Sequence, residues 1–229
     1  RPGTRNRLLN EAGWLFRLLG RYSDSEQHYD QALSIARETG DRRNEGVALE
    51  NLARLYNESG RFAEALEHCQ LALKIAREVG NRLSECENLG RLGVFCYEQG
   101  RLSEAMEHHE RALAIAREMG NYRGEGVSLG DLAWLHRESG HAELAQQYYE
   151  QALAIARDME DRQYQAINLG NLGLLYFEQG HIAVGMEYIG EAMDIAREMG
   201  DRRNELNSVI NLGIFHQSFG HAERAREYY

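Results

Sequence analysis

The chain has a single proline, Pro2, among 229 residues, so nothing downstream of the first turn interrupts a helix. Cysteine is scarce. Cys69, Cys86 and Cys96 are odd in number and lack the paired spacing of a zinc site, the pattern of reduced core thiols in a cytoplasmic protein. No apolar run is long enough to span a membrane, and no charged n-region followed by an apolar h-region is present. Basic residues are the minority: 26 Lys and Arg against 36 Asp and Glu give a net charge of -10. That balance disfavours nucleic acid or an anionic membrane as the main partner. A phosphate-binding loop, a nucleophile elbow and a dinucleotide fingerprint are all missing. These absences argue against an enzyme and leave no residue set that calls for a cofactor or a metal.

What the chain does have is a period of 40 residues. The run Ile35-Ala36-Arg37-Glu38 returns at Ile75, Ile115, Ile155 (ending there in Asp158) and Ile195. Glycines keep the same step at Gly20, Gly60, Gly100, Gly140, Gly180 and Gly220. A period of this size predicts stacked supersecondary units and not one globular core. The expected boundaries are 1–40, 41–80, 81–120, 121–160, 161–200 and a truncated 201–229, forming a single array.

Within residues 41–80, Asp41 stands where an N-cap is wanted, and Asn81, Asn121, Asp161 and Asp201 hold the same slot. Apolar residues at helical spacing predict a first helix over 42–58 and a second over 62–79, with Gly60 between them and Gly80 closing the second. Such a pair is an antiparallel hairpin whose apolar faces must stack on neighbouring pairs. The expected fold is therefore all-α: an α-solenoid, a right-handed superhelix of about six antiparallel helix pairs. Small residues recur at Gly13, Ala53, Gly93, Ala133, Gly173 and Gly213 in the first helices and at Ala32, Ala72, Ala112, Ala152 and Ala192 in the second. They let helix axes approach closely. Glu160 replaces the glycine found at 40, 80, 120 and 200, so that turn is expected to be distorted or longer.

The slots Leu172-Gly173-x-x-Tyr176, Gly180 and Ala192, and Leu52-Ala53-x-x-Tyr56, Gly60, Ala65 and Ala72-Leu73, resemble the tetratricopeptide (TPR) repeat. The usual TPR period is about 34. The longer step here is similar to the LGN/Pins adaptors and to the TPR regions of bacterial MalT-like regulators. The Leu-Gly-Asn tripeptide occurs once, at Leu169-Gly170-Asn171, with its glycine three residues before the small-residue slot of Gly173. The resemblance implies that first helices line a concave face on which a partner lies. Period 3.6 then places Trp14, Arg17, Asn51, Arg54, Arg91, Tyr97, Trp134, Arg137, Asn171, Leu174, Phe177, Asn211 and Ile214 on that face. These slots vary while the packing slots stay constant, which is what a shared scaffold with a tailored surface requires.

The expected function is a protein-interaction scaffold holding a peptide or helix with acidic and apolar residues. Two alternatives stand beside it: a sensor arm of a multidomain bacterial ATPase or transcription regulator, and a structural solenoid self-associating through uncapped ends. The plainer reading of Trp134 and Phe177 is packing, and of the arginines, pairing with nearby Glu. Glu50, Gly90, Gly130 and Gly170 hold the slot of the first lysine of the Hsp-type carboxylate clamp, which argues against chaperone tails. His68, His108 and His109, amid Glu67, Glu107 and Glu110, are expected on the outer side of second helices. His136 and His216 occupy the aromatic slot of Tyr56 and Tyr176 and are expected to pack, as are Tyr148-Tyr149 and Tyr228-Tyr229. His141, His181 and His221 follow turn glycines and are expected to be exposed.

Overall fold

The computed structural model describes residues 2–218, all of whose regular elements are helices. Gly220, His221 and Tyr228-Tyr229, and with them the second helix expected in the last repeat, lie outside the described residues. The chain divides into two compact units, Arg1–Met119 and Gly120–Tyr229. The first contains α1 (Pro2–Leu18), α2 (Tyr22–Thr39), α3 (Arg42–Glu58), α4 (Phe62–Glu78), α5 (Arg82–Glu98) and α6 (Leu102–Met119). The second contains α7 (Tyr122–Glu138), α8 (Ala142–Asp158), α9 (Arg162–Glu178), α10 (Ile182–Met199) and α11 (Arg202–Ser218).

In the first unit α1–α2, α3–α4 and α5–α6 are hairpins, α2 packs on α3, α4 packs on α5, and the first helices α1 and α3 also touch. In the second unit α7–α8 and α9–α10 are hairpins, α8 packs on α9, and α10 packs on α11. There the first helices α7 and α9, and α9 and α11, meet directly. Each unit thus presents one face built of first helices. The apolar residues predicted to pack are those that bury: Leu49, Leu52, Leu55, Ala72 and Leu73 join one core, and Leu169, Leu172, Tyr149, Leu153 and Ala192 another. Burying each leucine stabilises the fold by about 1.5–3 kcal/mol relative to exposure.

The caps form as the sequence predicts. Backbone N–H groups of Asn44, Ser84, Gly124, Tyr164 and Asn204 donate to the side-chain oxygens of Asp41, Asn81, Asn121, Asp161 and Asp201 at 3.0–3.3 Å. The recurrent Ile-Ala-Arg-Glu run also gains a physical explanation. Its alanine and, in most copies, its isoleucine are buried. Its arginine reaches forward to the next first helix: Arg37 to Glu45 at 3.1 Å, Arg77 to Glu85 at 3.0 Å, Arg197 to Glu205 at 2.8 Å. Its glutamate reaches back to its own hairpin, with Glu78 bound by Arg42, Glu118 by Arg82 and Glu198 by Arg162. Where position 165 is Gln, Arg157 turns instead to Glu191 at 3.1 Å.

The turn at Glu160 is not distorted or longer. Glu160 N–H donates to the Arg157 carbonyl at 3.0 Å and Asp161 N–H to the Ala156 carbonyl at 2.9 Å, as Gly40 and Asp41 do at 3.2 and 2.8 Å in the equivalent turn. The glutamate simply adopts the left-handed conformation, at φ 54, and is the one non-glycine residue with positive φ among the described residues. A side chain there is strained. Glu160→Gly is expected to raise stability by about 1 kcal/mol. An unchanged urea midpoint would count against the strain.

Candidate functional site

Within the first unit, most polar members of the first-helix face are engaged internally. The Arg17 guanidinium is hydrogen-bonded to Glu58 of the next first helix. Asn51 Nδ2 donates to Asn10 Oδ1 at 2.9 Å. Arg91 donates to Asn88 Oδ1 at 3.2 Å and to Glu87 at 3.1 Å on its own helix. Tyr97 is half-buried, while Arg54 and Trp14 are exposed.

Within the second unit, Arg137 repeats the Arg17 arrangement, donating to both carboxylate oxygens of Glu178 at 2.9 and 2.6 Å. Both arginines also lie beside a buried second-helix tyrosine, Arg17 by Tyr29 and Arg137 by Tyr149. Burial raises the pKa of each phenol, and the guanidinium partly offsets it. Trp134 is half-buried against the core. Phe177 stacks on Phe215 with ring centroids 3.9 Å apart. These are the packing and pairing roles of the plainer sequence reading.

The remaining second-unit residues do converge. Asn171, Leu174 and Asn211 line a cleft of about 360 Å³ between α9 and α11, with Ile167, Gly170, Asn207 and Ile210 along its sides and Ala192 at its base. Ala166, Asn204 and Ser208 complete the described lining and do not follow from the stripe alone. Among the described residues, no charged side chain lines this cleft. Ile214 stands one turn beyond Ile210 on the same helix and is 43% exposed. In α7, Asp131 occupies the slot held elsewhere by Asn51, Arg91 and Asn171, and burial pushes its carboxyl up to about 7.

The histidines divide. His136 packs as expected, stacking on Tyr148 at 5.4 Å, and His141 and His181 are exposed. His109 corrects its expectation: it is 2% exposed and points inward, where a Cβ on Gly93 would stand 2.3 Å from its Nε2. It fills the slot of Tyr29, Cys69, Tyr149 and Ile189, and burial holds its imidazole down to about 4. Among the described residues no group of three His, Cys, Asp or Glu is placed to hold a metal ion, and no helix is long and apolar enough to cross a membrane.

The tetratricopeptide repeat family model matches residues 4–78, 45–118 and 84–158. The anaphase-promoting complex subunit 5 model matches residues 160–207 and 204–228. No curated protein matches the chain. Among solved structures, the apo form of RapI is similar with a TM-score of 0.80 at 18% identity, over 99% of this chain and 81% of that one. A STAND protein with a tetratricopeptide repeat sensor from Pyrococcus horikoshii is similar with a TM-score of 0.82 at 16% identity, over 100% of this chain and 35% of that one. The Rap conjugation gene regulator of a plasmid, in complex with a Phr peptide, is similar with a TM-score of 0.73 at 17% identity, over 95% of this chain and 60% of that one. At these identities the likeness is one of fold. The family match is to the repeat itself.

Proposed function

Since the chain belongs to the tetratricopeptide repeat family, a fold that serves protein interaction, we propose that its first-helix face holds an extended peptide or helix of a partner protein. One observation carries this reading: the cleft between α9 and α11, with amide groups from Asn171, Asn207 and Asn211 and aliphatic walls from Ile167, Leu174 and Ile210. Amides donate and accept, so they suit a main chain, and the aliphatic walls suit apolar side chains. Exposed Ile214 and half-buried Trp134 extend the apolar surface within the same unit. The Rap regulator, a similar fold in complex with a Phr peptide, supports a peptide as the occupant.

The test uses peptides selected on the 229-residue chain from a random displayed library. Ile210→Asp with Asn211→Ala is expected to weaken their binding about tenfold or more, by placing a charge in the cleft and removing an amide. Unchanged dissociation constants would refute the cleft as the site. A second reading, a sensor arm within a larger signalling ATPase, is favoured by the likeness to the STAND protein with a tetratricopeptide repeat sensor, 35% of whose chain this one spans. A nucleotide-binding domain encoded next to this segment would support it, and an isolated repeat array would remove it.

A further inference from the structure

The two units differ at one buried amide. Asn88 of α5 and Asn168 of α9 hold the same slot two repeats apart, and they are 0% and 2% exposed. Each Nδ2 donates at 2.8 Å to the backbone carbonyl one turn earlier, of Ser84 and Tyr164 respectively. Asn88 is then satisfied from the first-helix face. Its Nδ2 also donates to the Glu50 carboxylate at 2.9 Å. Its Oδ1 accepts from the Arg91 guanidinium at 3.2 Å and from the Cys69 thiol at 3.5 Å.

At Asn168 all three of those partners are replaced. The slots of Glu50, Arg91 and Cys69 hold Gly130, Asn171 and Tyr149. Asn168 Oδ1 is buried without a hydrogen-bond partner. It points at Gly130, 3.4 Å from where a Cβ on that glycine would stand. Packing does not require this glycine: among the described residues, that oxygen is the one atom outside the glycine's own stretch of helix within 4 Å of the Cβ position. A mid-helix glycine and an orphaned amide oxygen are each destabilising. Here they stand side by side, in the place where the first unit puts a carboxylate and a guanidinium.

We infer that Asn168, with the gap at Gly130, receives the main-chain amide groups of one extended residue of a bound peptide. The peptide's C=O takes the place of the Glu50 carboxylate and its N–H that of the Arg91 guanidinium. An extended residue presents its own N–H and C=O on one side, as it does to a neighbouring strand, and so meets both ends of a side-chain amide. A carboxylate offers only acceptors and an ammonium only donors, so neither replaces both lost partners. The inference rests on the peptide-binding reading and deepens it. It makes the second unit's amide the one left open for main-chain contact, whereas the equivalent amide of the first unit, Asn88, is saturated from within. A trapped water beside Gly130 is the competing occupant.

Serine is already accepted in this slot, as Ser128 and Ser208. That permits one substitution at two equivalent places, tested on the whole chain with the library-selected peptides. Asn168→Ser is expected to weaken binding about tenfold, the loss of charge-free hydrogen bonds to a partner. Asn88→Ser is expected to leave affinity within about twofold while lowering the melting temperature, since it breaks internal bonds. Circular dichroism melts of both confirm that each variant is folded at the binding temperature. Equal losses, a larger loss at Asn88, or an Asn168→Ser variant that changes only its melting temperature would overturn the inference, the last in favour of water. Binding that survives Asn168→Ser but is lost on substituting Ile210 and Asn211 overturns it and leaves the peptide reading standing. Failure to enrich any peptide overturns both.

Discussion

Gly173→Leu is expected to destabilise the second unit by about 3 kcal/mol or more, at the upper end of what overpacking costs. A Cβ on Gly173 would stand 2.6 Å from Ile189 Cγ1 and 2.8 Å from the Gly185 carbonyl oxygen. From the other side, a Cβ on Gly185 would stand 2.7 Å from the Gly173 carbonyl oxygen and 3.2 Å from the Phe177 nitrogen. Here α9 and α10 touch backbone to backbone, and no rotamer change relieves the clash. At Gly93 the obstacle is the His109 ring and at Gly13 the Tyr29 ring, so those sites have a side chain that can yield. The internal control is Gly170→Ala, whose Cβ meets nothing within 4 Å and which is expected to gain about 0.5–1 kcal/mol. Urea unfolding followed by circular dichroism separates the two, and a Gly173→Leu midpoint equal to the parent's would refute the close-contact account.

The second large effect depends on pH. Burial, with a smaller contribution from His108, holds His109 down to about 4 from an ordinary 6.5. Between those values the unfolded chain binds a proton that the folded chain refuses. Stability is therefore full above about 6.5 and is lost as pH falls towards 4. At about 1.4 kcal/mol per pH unit across that window the loss approaches about 3 kcal/mol. His109→Tyr is expected to abolish this component. Tyrosine fits because Tyr29 fills the same slot against Gly13, which is the slot of Gly93. Urea midpoints at pH 7 and 4.5 should fall much further for the parent than for the variant; parallel falls would show that His109 does not carry the effect.

How much of this was legible beforehand follows from what a strict period can encode. Caps at Asp41 and Asn81, the helix over 42–58 and the glycine turns are local and recur, so one repeat reports on all. The destinations of Arg17 and Arg137 are not local. Their partners Glu58 and Glu178 lie one repeat away, on the next first helix. The slot of His109 mixes tyrosine, cysteine, histidine and isoleucine, which hides a buried position behind polar names. Glutamates beside it on the helix then made the wrong face plausible. The turn at Glu160 departs from expectation for the opposite reason: the hydrogen bonds of the turn outweigh the preference of one residue. Of the candidate groove, Asn171, Leu174 and Asn211 were legible from periodicity. Asn168 was not, because its meaning lies in three partners that changed at other slots.

All three thiols sit in α4 and α5, and burial raises the pKa of each, that of Cys69 to about 12. Protonated and shielded, they react with an alkylating reagent only when that part of the chain opens. The second unit contains no cysteine. Alkylation kinetics therefore time the opening of one half of the molecule without any label being introduced, and with Trp14 replaced, Trp134 reports on the other half. The protein thus carries the means to show whether its two units open together or one before the other, and whether an occupant of the α9–α11 cleft slows only its own half.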